Sequence, residues 1–495
     1  MSKKSEKISD AIGELDEKII AEADEKRVSQ TLTSRRTGKI FKITVSAAAC
    51  AALICGALAL YPKVSDGESP VISVHAETLA EAAYPKMAAY PDASLYVSPL
   101  GLDTDAFDKA YKPWQEQTWK RREVGESING TAEEFYKASA KEFLSGAEGE
   151  NRAYSPVNVY MALAMLAETT DGNSRTQLLD LLGADSIEVL RERAGNMWTA
   201  NYRNDGATTS ILAGSIWLDK DINFKQSTVD CIAKQYFASV YRVDLSSEET
   251  AADLQEWLDK QTGGLLTEAV KNLELSPEAA MALCTTVYFR AKWDSLFDPS
   301  QNDTKTFHSA AGDYDTEFMN NSDGYGYYFW NDDFGAISLR FADDGEMWLI
   351  LPDEDKTVDD ILKAGDYLDL IKRGEYFDYK QLIINYSVPK FDISSEIDLK
   401  DGLNRLGVTD IFNADTADFT PLSDSAGLYT SDAKHAARVV IDEEGCTAAA
   451  FTEMQLAGGA LFPEDEMDFI LDRPFLFMIV SDTYQPLFIG EVNNP

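Results

Sequence analysis

Between Asn129 and Pro495, runs that read as helix and runs that read as strand follow one another without regular alternation, and this order limits the fold more than any single motif. A helical pattern over Ala132–Leu144 leads to Ser155-Pro156, where serine can cap a helix and proline suits its first turn. The next helix, VNVYMALAMLAETT, is apolar on nearly every side and must be buried. Gly172 and Asn173 break it before a short helix, SRTQLLDLLG. Strand-like runs at Ile211–Leu218, Met281–Phe289, Trp348–Leu351 and Leu382–Tyr386 are interspersed with helical ones at Ala251–Lys260, Val358–Ile371 and Leu399–Leu406. Two apolar strands, PFLFMIVS and PLFIGEVN, close the chain around a turn at Asp482–Gln485. Strict alternation would indicate a Rossmann or barrel arrangement. Its absence predicts an α+β domain, residues 128–495, with a large mixed or antiparallel sheet and surrounding helices.

Composition narrows the function. With 44% apolar residues in 495, the chain can bury a large core. A formal net charge of -39 repels phosphate backbones, so nucleic acid is excluded as a partner. Cys231, Cys284 and Cys446 show no paired spacing, so neither a disulfide framework nor a zinc site is read. The three histidines, His75, His308 and His435, lie in no HExxH or GxSxG context, and no P-loop or dinucleotide fingerprint occurs. No metal, cofactor or catalytic residue is assigned, and the chain is read as something other than an enzyme.

Before this domain, Ile43 to Tyr61 contains no charged residue, enough at ~1.5 Å per residue to span a hydrocarbon core. Arg35, Arg36, Lys39 and Lys42 flank it upstream, so the positive-inside rule predicts a single-pass membrane protein. Residues 1–42 would be cytoplasmic, 43–61 transmembrane, 62–127 an extracellular stalk and the remainder extracellular. The alternative is a cleaved signal peptide and a secreted protein, but the region ahead of the apolar run is about twice the usual length. Ile8, Ile12, Leu15, Ile19 and Ile20 share one face of a short amphipathic helix in the cytoplasmic segment, and one helix is expected near Asp105–Arg121 in the stalk.

One segment differs from an ordinary loop. After Glu443-Glu444-Gly445, the residues Cys446, Ala448, Ala450, Thr452, Met454 and Leu456 fall on one face at period two. Thr447, Ala449, Phe451, Glu453 and Gln455 fall on the other. The strand pattern runs into Gly458-Gly459 and then Phe462-Pro463-Glu464-Asp465-Glu466, a composition suited to an exposed loop. On residues alone the segment reads either as a strand or as an Ala/Gly surface loop.

Six stretches in order then carry a family resemblance. They are Asn151–Gly183; LQEWLDKQTGG (254–264); LCTTVYFRAKW (283–293); VPKFDISSEIDLKDGLNRLGVTDIF (388–412); LYTSDAKHAARVVIDEEGCTAAAFT (428–452); and DRPFLFMIV with PLFIGEVNNP at the C-terminus. From about residue 130 the chain resembles the serpins, here a bacterial, membrane-anchored member. The resemblance implies the serpin fold with an exposed C-terminal reactive loop. It also implies a suicide mechanism: a target serine protease cuts the loop and forms an acyl-enzyme, and the cut strand inserts into the main sheet. It assigns the inserting hinge to Glu443, Glu444, Gly445, Cys446, Thr447, Ala448, Ala449, Ala450, Phe451 and Thr452, although the family usually has Thr or Ser where Cys446 stands. Spacing from Gly445 puts the scissile bond at Gly459–Ala460, with Leu456, Ala457 and Leu461 as alternatives because the loop is longer than is typical. No Arg or Lys occurs in 446–468, which favours elastase-like or subtilisin-like proteases over trypsin-like ones. The family's sheet-closing hydrogen-bond network maps to Ser155, Asn158, Thr285 and His435. The family's Asn is missing at Thr285, and Asn158 stands where Ser is usual, so amide and hydroxyl are inferred to exchange places. The chain is expected to act as a monomer. A non-inhibitory serpin, serving as a binding or scaffold protein at the cell surface, is the alternative reading.

Overall fold

A computed structural model describes residues 76–91, 93–98, 101–102, 104–147, 149–264, 280–342, 345–372, 376–430, 433–446 and 465–495. The helices are α1 (Thr104–Ile128), α2 (Glu133–Leu144), α3 (Pro156–Thr169), α4 (Gly172–Leu181), α5 (Ile187–Asn201), α6 (Gln226–Gln235), α7 (Glu248–Gln261), α8 (Val358–Ala364) and α9 (Lys400–Arg405). The strands of two large sheets are, in chain order, β1 (Glu77–Ala80), β2 (Arg152–Tyr154), β3 (Thr209–Asp219), β4 (Ala238–Val243), β5 (Met281–Lys292), β6 (Asp303–Ser309), β7 (Gly312–Trp330), β8 (Phe334–Arg340), β9 (Glu346–Pro352), β10 (Asp378–Pro389), β11 (Phe391–Asp398), β12 (Lys434–Asp442), β13 (Gly445–Cys446), β14 (Glu466–Ile470), β15 (Phe475–Val480) and β16 (Pro486–Val492).

An eight-stranded sheet runs β1-β4-β3-β5-β13-β12-β11, with Arg203–Asn204 pairing off β3. A nine-stranded sheet runs β14-β10-β7-β8-β9-β15-β16-β2, with β6 beside β7. This mixed α+β architecture agrees with the irregular element order of the sequence. Helix α3 lies between the layers, as its all-round apolar face requires: every residue from Pro156 to Thr169 except Ala162 is buried, and Ser155 Oγ caps it by accepting from Asn158 N at 3.3 Å. The one helix expected over Val358–Ile371 is split. Gly365, at φ 77, ends α8 in the left-handed conformation, and Asp366–Lys372 continues as a 3₁₀ turn.

The segment read from sequence as a stalk contributes, in its described part, to the folded body. Strand β1 pairs antiparallel with β4 and lengthens the eight-stranded sheet at its edge. Helix α1 packs along α5 and ends in buried ion pairs. Arg121 donates to both carboxylate oxygens of Asp482, at 2.6 Å to Oδ1, and to the Ala200 carbonyl at 2.8 Å. Trp114 Nε1 and Arg203 Nε meet on Asp205 at 2.7 and 2.6 Å. Gly125 lets α1 approach the Asp482 turn, since a Cβ there would stand 2.6 Å from Thr483 Cβ.

The expected cytoplasmic segment and the span at 43–61 lie outside the described residues. Among the described residues no helix is long and apolar enough to cross a membrane, and the single-pass membrane localisation is corrected on that finding. The longest helix, α1, carries Lys109, Glu116, Arg121 and Arg122 among its charges, which hydrocarbon would have to desolvate.

Candidate functional site: a strand cleft and its hinge

Strand β5 is fully laddered to β3 on one side, from Met281 to Arg290. Strand β12 is fully laddered to β11 along its other side, from Lys434 to Ile441. Among the described residues no ladder joins β5 directly to β12; the two-residue β13 lies between them at one end. Cys446 pairs with Ala291 of β5 and with Ile441 of β12, and Gly445 pairs with Lys292 and Asp442. Below β13 the facing edges of the two strands flank a small cavity lined by Ser155, Asn158, Val287, His435, Ala437 and Arg438.

The chain enters this cleft through a tightly held reversal. Asp442 Oδ1 accepts from the N–H groups of Glu444 and Gly445 at 2.9 and 3.2 Å, a side-chain turn of the kind aspartate forms with its own backbone. Trp293 Nε1 donates to the Asp442 carbonyl at 2.9 Å, and Trp293 N to that of Glu444 at 3.2 Å. Glu443 is bonded by Lys390 at 2.6 Å and Asn302 at 2.5 Å. Partial burial raises its pKa, but the Lys390 bond, its own backbone N–H and the Asn302 bond together outweigh burial and hold the carboxyl below its ordinary value. Gly445 has φ 149, and a Cβ there would overlap the Ala291 carbonyl oxygen, so only glycine fits. Burial pushes the Cys446 thiol up to about 12, so Cys446 packs as a small apolar group rather than a nucleophile.

Deeper in the cleft the four residues of the expected network converge. Ser155 N donates to His435 Nε2 at 3.1 Å, Asn158 N to Ser155 Oγ at 3.3 Å, and Asn158 Nδ2 to the Thr285 carbonyl at 3.2 Å. The links differ from a plain exchange of amide and hydroxyl: Ser155 reaches the imidazole through its backbone N–H, and Thr285 accepts through its backbone oxygen. Burial lowers His435 to a pKa of about 4, so the ring is neutral at pH 7. With Nε2 accepting, its proton sits on Nδ1.

Of the sequence-assigned hinge, Glu443, Glu444, Gly445 and Cys446 occupy this reversal. Thr447, Ala448, Ala449, Ala450, Phe451 and Thr452 lie outside the described residues, as do the scissile-bond candidates Leu456, Ala457, Gly459, Ala460 and Leu461. The chain returns at β14, which pairs in parallel with β10 from Ile383↔Glu466 to Ser387↔Ile470. Sequence reasoning missed Asp442, Lys390 and Asn302 as the groups holding the hinge. The Asp-x-x-Gly spacing of 442–445 was the available signal for the first; the other two come from distant sequence.

A family model described as serpin (serine protease inhibitor) matches residues 127–495. Serpin-Z2B of Triticum aestivum is 28% identical over 365 residues, covering 70% of this chain and 90% of the relative. Serpin B11 of Mus musculus is 28% identical over 391 residues, covering 74% and 99%. Among solved structures, the native state of the thermophilic serpin tengpin superposes with a TM-score of 0.66 at 28% identity, covering 75% of this chain and 94% of that one. Arabidopsis AtSerpin1 in its native stressed conformation gives 0.64 at 25% identity, covering 76% and 98%. The matched family is one of protease inhibitors, its model spans the cleft, the reversal at 442–446 and every strand of both sheets but β1, and the chain belongs to the serpin family.

Proposed function

We propose that this protein inhibits serine proteases as a suicide substrate, with residues 447–464 as the bait and the β5/β12 cleft as the receiving slot. The observation that carries the reading is the register of β13. Cys446 stands opposite Ala291 and Ile441, and in an antiparallel strand each further residue moves one position back on both neighbours. Continued insertion would set Ala448 between Phe289 and Val439, Ala450 between Val287 and Ala437, and Thr452 between Thr285 and His435. Cys446, Phe289, Val439, Ala437 and His435 are all buried, so the small side chains of the loop would face the core and Thr447, Ala449 and Phe451 the opposite face. A net gain of about 1 kcal/mol per ladder bond on both edges gives a driving force on the order of 10 kcal/mol before the cost of ordering the segment. Cleavage of the loop releases that energy, and a protease still esterified to the cut end is carried with the strand.

The absence of Arg and Lys from 446–468 fits proteases with small or aliphatic specificity pockets, elastase-like or subtilisin-like. The full chain mixed with elastase, subtilisin and trypsin and run on denaturing gels tests this. A covalent protease adduct is expected with the first two, and the mass of the released C-terminal peptide locates the cut among Leu456, Ala457, Gly459, Ala460 and Leu461. A cut loop without an adduct would favour the non-inhibitory reading.

A further inference from the structure

A cleft of about 470 Å³ opens on the nine-stranded sheet where β7, β10 and β14 meet the turn after β9. Its described lining lies apart from the β5/β12 cleft. The floor is built by strand alternation. Tyr328 and Trp330, two apart on β7, share a face, and the register puts Lys380 opposite Tyr328 and Leu382 opposite Gly326 on that same face. The two rings stack, with centroids 5.4 Å apart and planes 19° from parallel. Phe469 of β14 meets Tyr328 edge-on at 6.2 Å and fixes its ring from the other side.

Charge is uneven around this floor. Lys380, the one cation of the described lining, is already bonded to Asp465 at 2.6 Å. Asp353, on the turn after β9, has no hydrogen-bond or ion-pair partner for its carboxylate among the described residues. Burial and then the Asp353 charge push the Tyr328 hydroxyl above its ordinary pKa, which places that carboxylate near the ring. Glu466 borders the cleft, but Asn385 on the opposite face of the sheet donates to it at 2.8 Å.

An anion entering here would meet Asp353 and Asp465 with no free cation to receive it, and a purely apolar molecule would cover Asp353 without pairing it. A cation on an apolar stem suits both walls. The stem lies against Leu382 and Met467, and the charge sits over the stacked rings beside Asp353. We propose that this cleft binds an organic cation, an ammonium or guanidinium carried on an apolar stem. The net charge of -39 raises the concentration of such ions at the protein surface. An occupied cleft also ties the edge strand β14, whose neighbour in the sheet is β10, to β7 and to the turn after β9.

Calorimetric titration of the full chain with butyltrimethylammonium, spermidine and an arginyl-lysine dipeptide amide tests this, against sodium chloride at matched ionic strength and against hexanoate. Saturable binding of at least one cation, none of hexanoate, and a thermal midpoint that rises with occupancy are expected. Trp330→Leu should weaken binding about fivefold. Asp353→Asn should weaken it about threefold, and less at high salt. Tyr325→Ser, on the other face of β7, should leave the affinity unchanged. Tighter binding of the dipeptide than of the two amines would identify the source as a polypeptide side chain, and the reverse order a free amine. The proposal is overturned if no cation binds beyond the sodium control or if hexanoate binds as well. Wild-type affinity in both cleft variants also overturns it, since the cation would then sit elsewhere on the acidic surface.

Discussion

On one side of the cleft, β5, β3, β4 and β1 pair in succession, and α1 braces that flank through Arg121, Asp482, Arg203 and Asp205. On the other side, β12 and β11 pair with each other, and two residues of β13 bridge back to β5. The braced flank satisfies its charges with partners drawn from far along the chain, Arg121 and Asp482 being 361 residues apart. The open flank keeps backbone edges in reserve beside a neutral imidazole and small side chains. Among the described residues the buried ion pairs thus brace one flank, and the other is held by strand pairing and surface ion pairs. If the loop inserts as proposed, it enters beside β12, whose ion pairs Lys434–Glu396 and Arg438–Asp392 reach only to β11.

Four changes test this contrast. The largest effect belongs to Ala450→Arg, which sends a cation to the core-facing side of the insertion register. An unpaired buried charge costs several kcal/mol, so trapped product relative to cleaved product should fall on the order of a hundredfold. The uncut protein should melt as before, and wild-type trapping would show that position 450 faces outward. Next, Asp482→Ala leaves Arg121 and Arg203 without their shared carboxylate. Breaking a buried pair typically costs about 3–5 kcal/mol, readable by denaturant titration, and a loss below about 1 kcal/mol would mean α1 is not a brace.

The third concerns pH. His435 titrates at about 4 when folded against 6.5 ordinarily, so between those values the unfolded chain binds a proton that the folded chain refuses. Its contribution is complete above pH 6.5, declines as pH falls through about 4, and amounts to on the order of 3 kcal/mol. Stability curves of wild type and His435→Gln should converge in that window; parallel curves would remove the imidazole from the account. The smallest effect is expected for Asn158→Ala, which orphans the Thr285 carbonyl at a cost of about 1–3 kcal/mol. It should also speed spontaneous loop insertion in uncut protein, detected as a rise in thermal midpoint on prolonged warming. A variant that matches wild type in both respects would detach Asn158 from cleft closure.

Much of the fold was legible because its elements are locally encoded. The buried helix α3 announced itself by having no polar face, β15 by an uninterrupted apolar run, and β16 by one that only Glu491 interrupts, on the far side of a turn. The four residues of the network were named from their matching positions, but which atoms bond was not legible, since three of the acting groups are backbone. Strand β1 carried no periodic signal in four residues and owes its place to the free edge of β4. Glu443 was assigned to the hinge by its position, but its partners Lys390 and Asn302 come from distant sequence and were not legible.

Which face of each element could be buried, the glycine at position 445 and the alternation of small residues after it, without proline through 458, can all be read along the chain. Those properties follow from side-chain size and period, which are local. Only the tertiary structure decided that β5 and β12 stand one strand apart with β13 begun between them. It also decided that Arg121 of α1 points into the body while most of the helix's other charges face solvent. Strand partners and ion-pair partners are chosen by long-range packing and desolvation, and a one-dimensional pattern fixes a face without naming its neighbour.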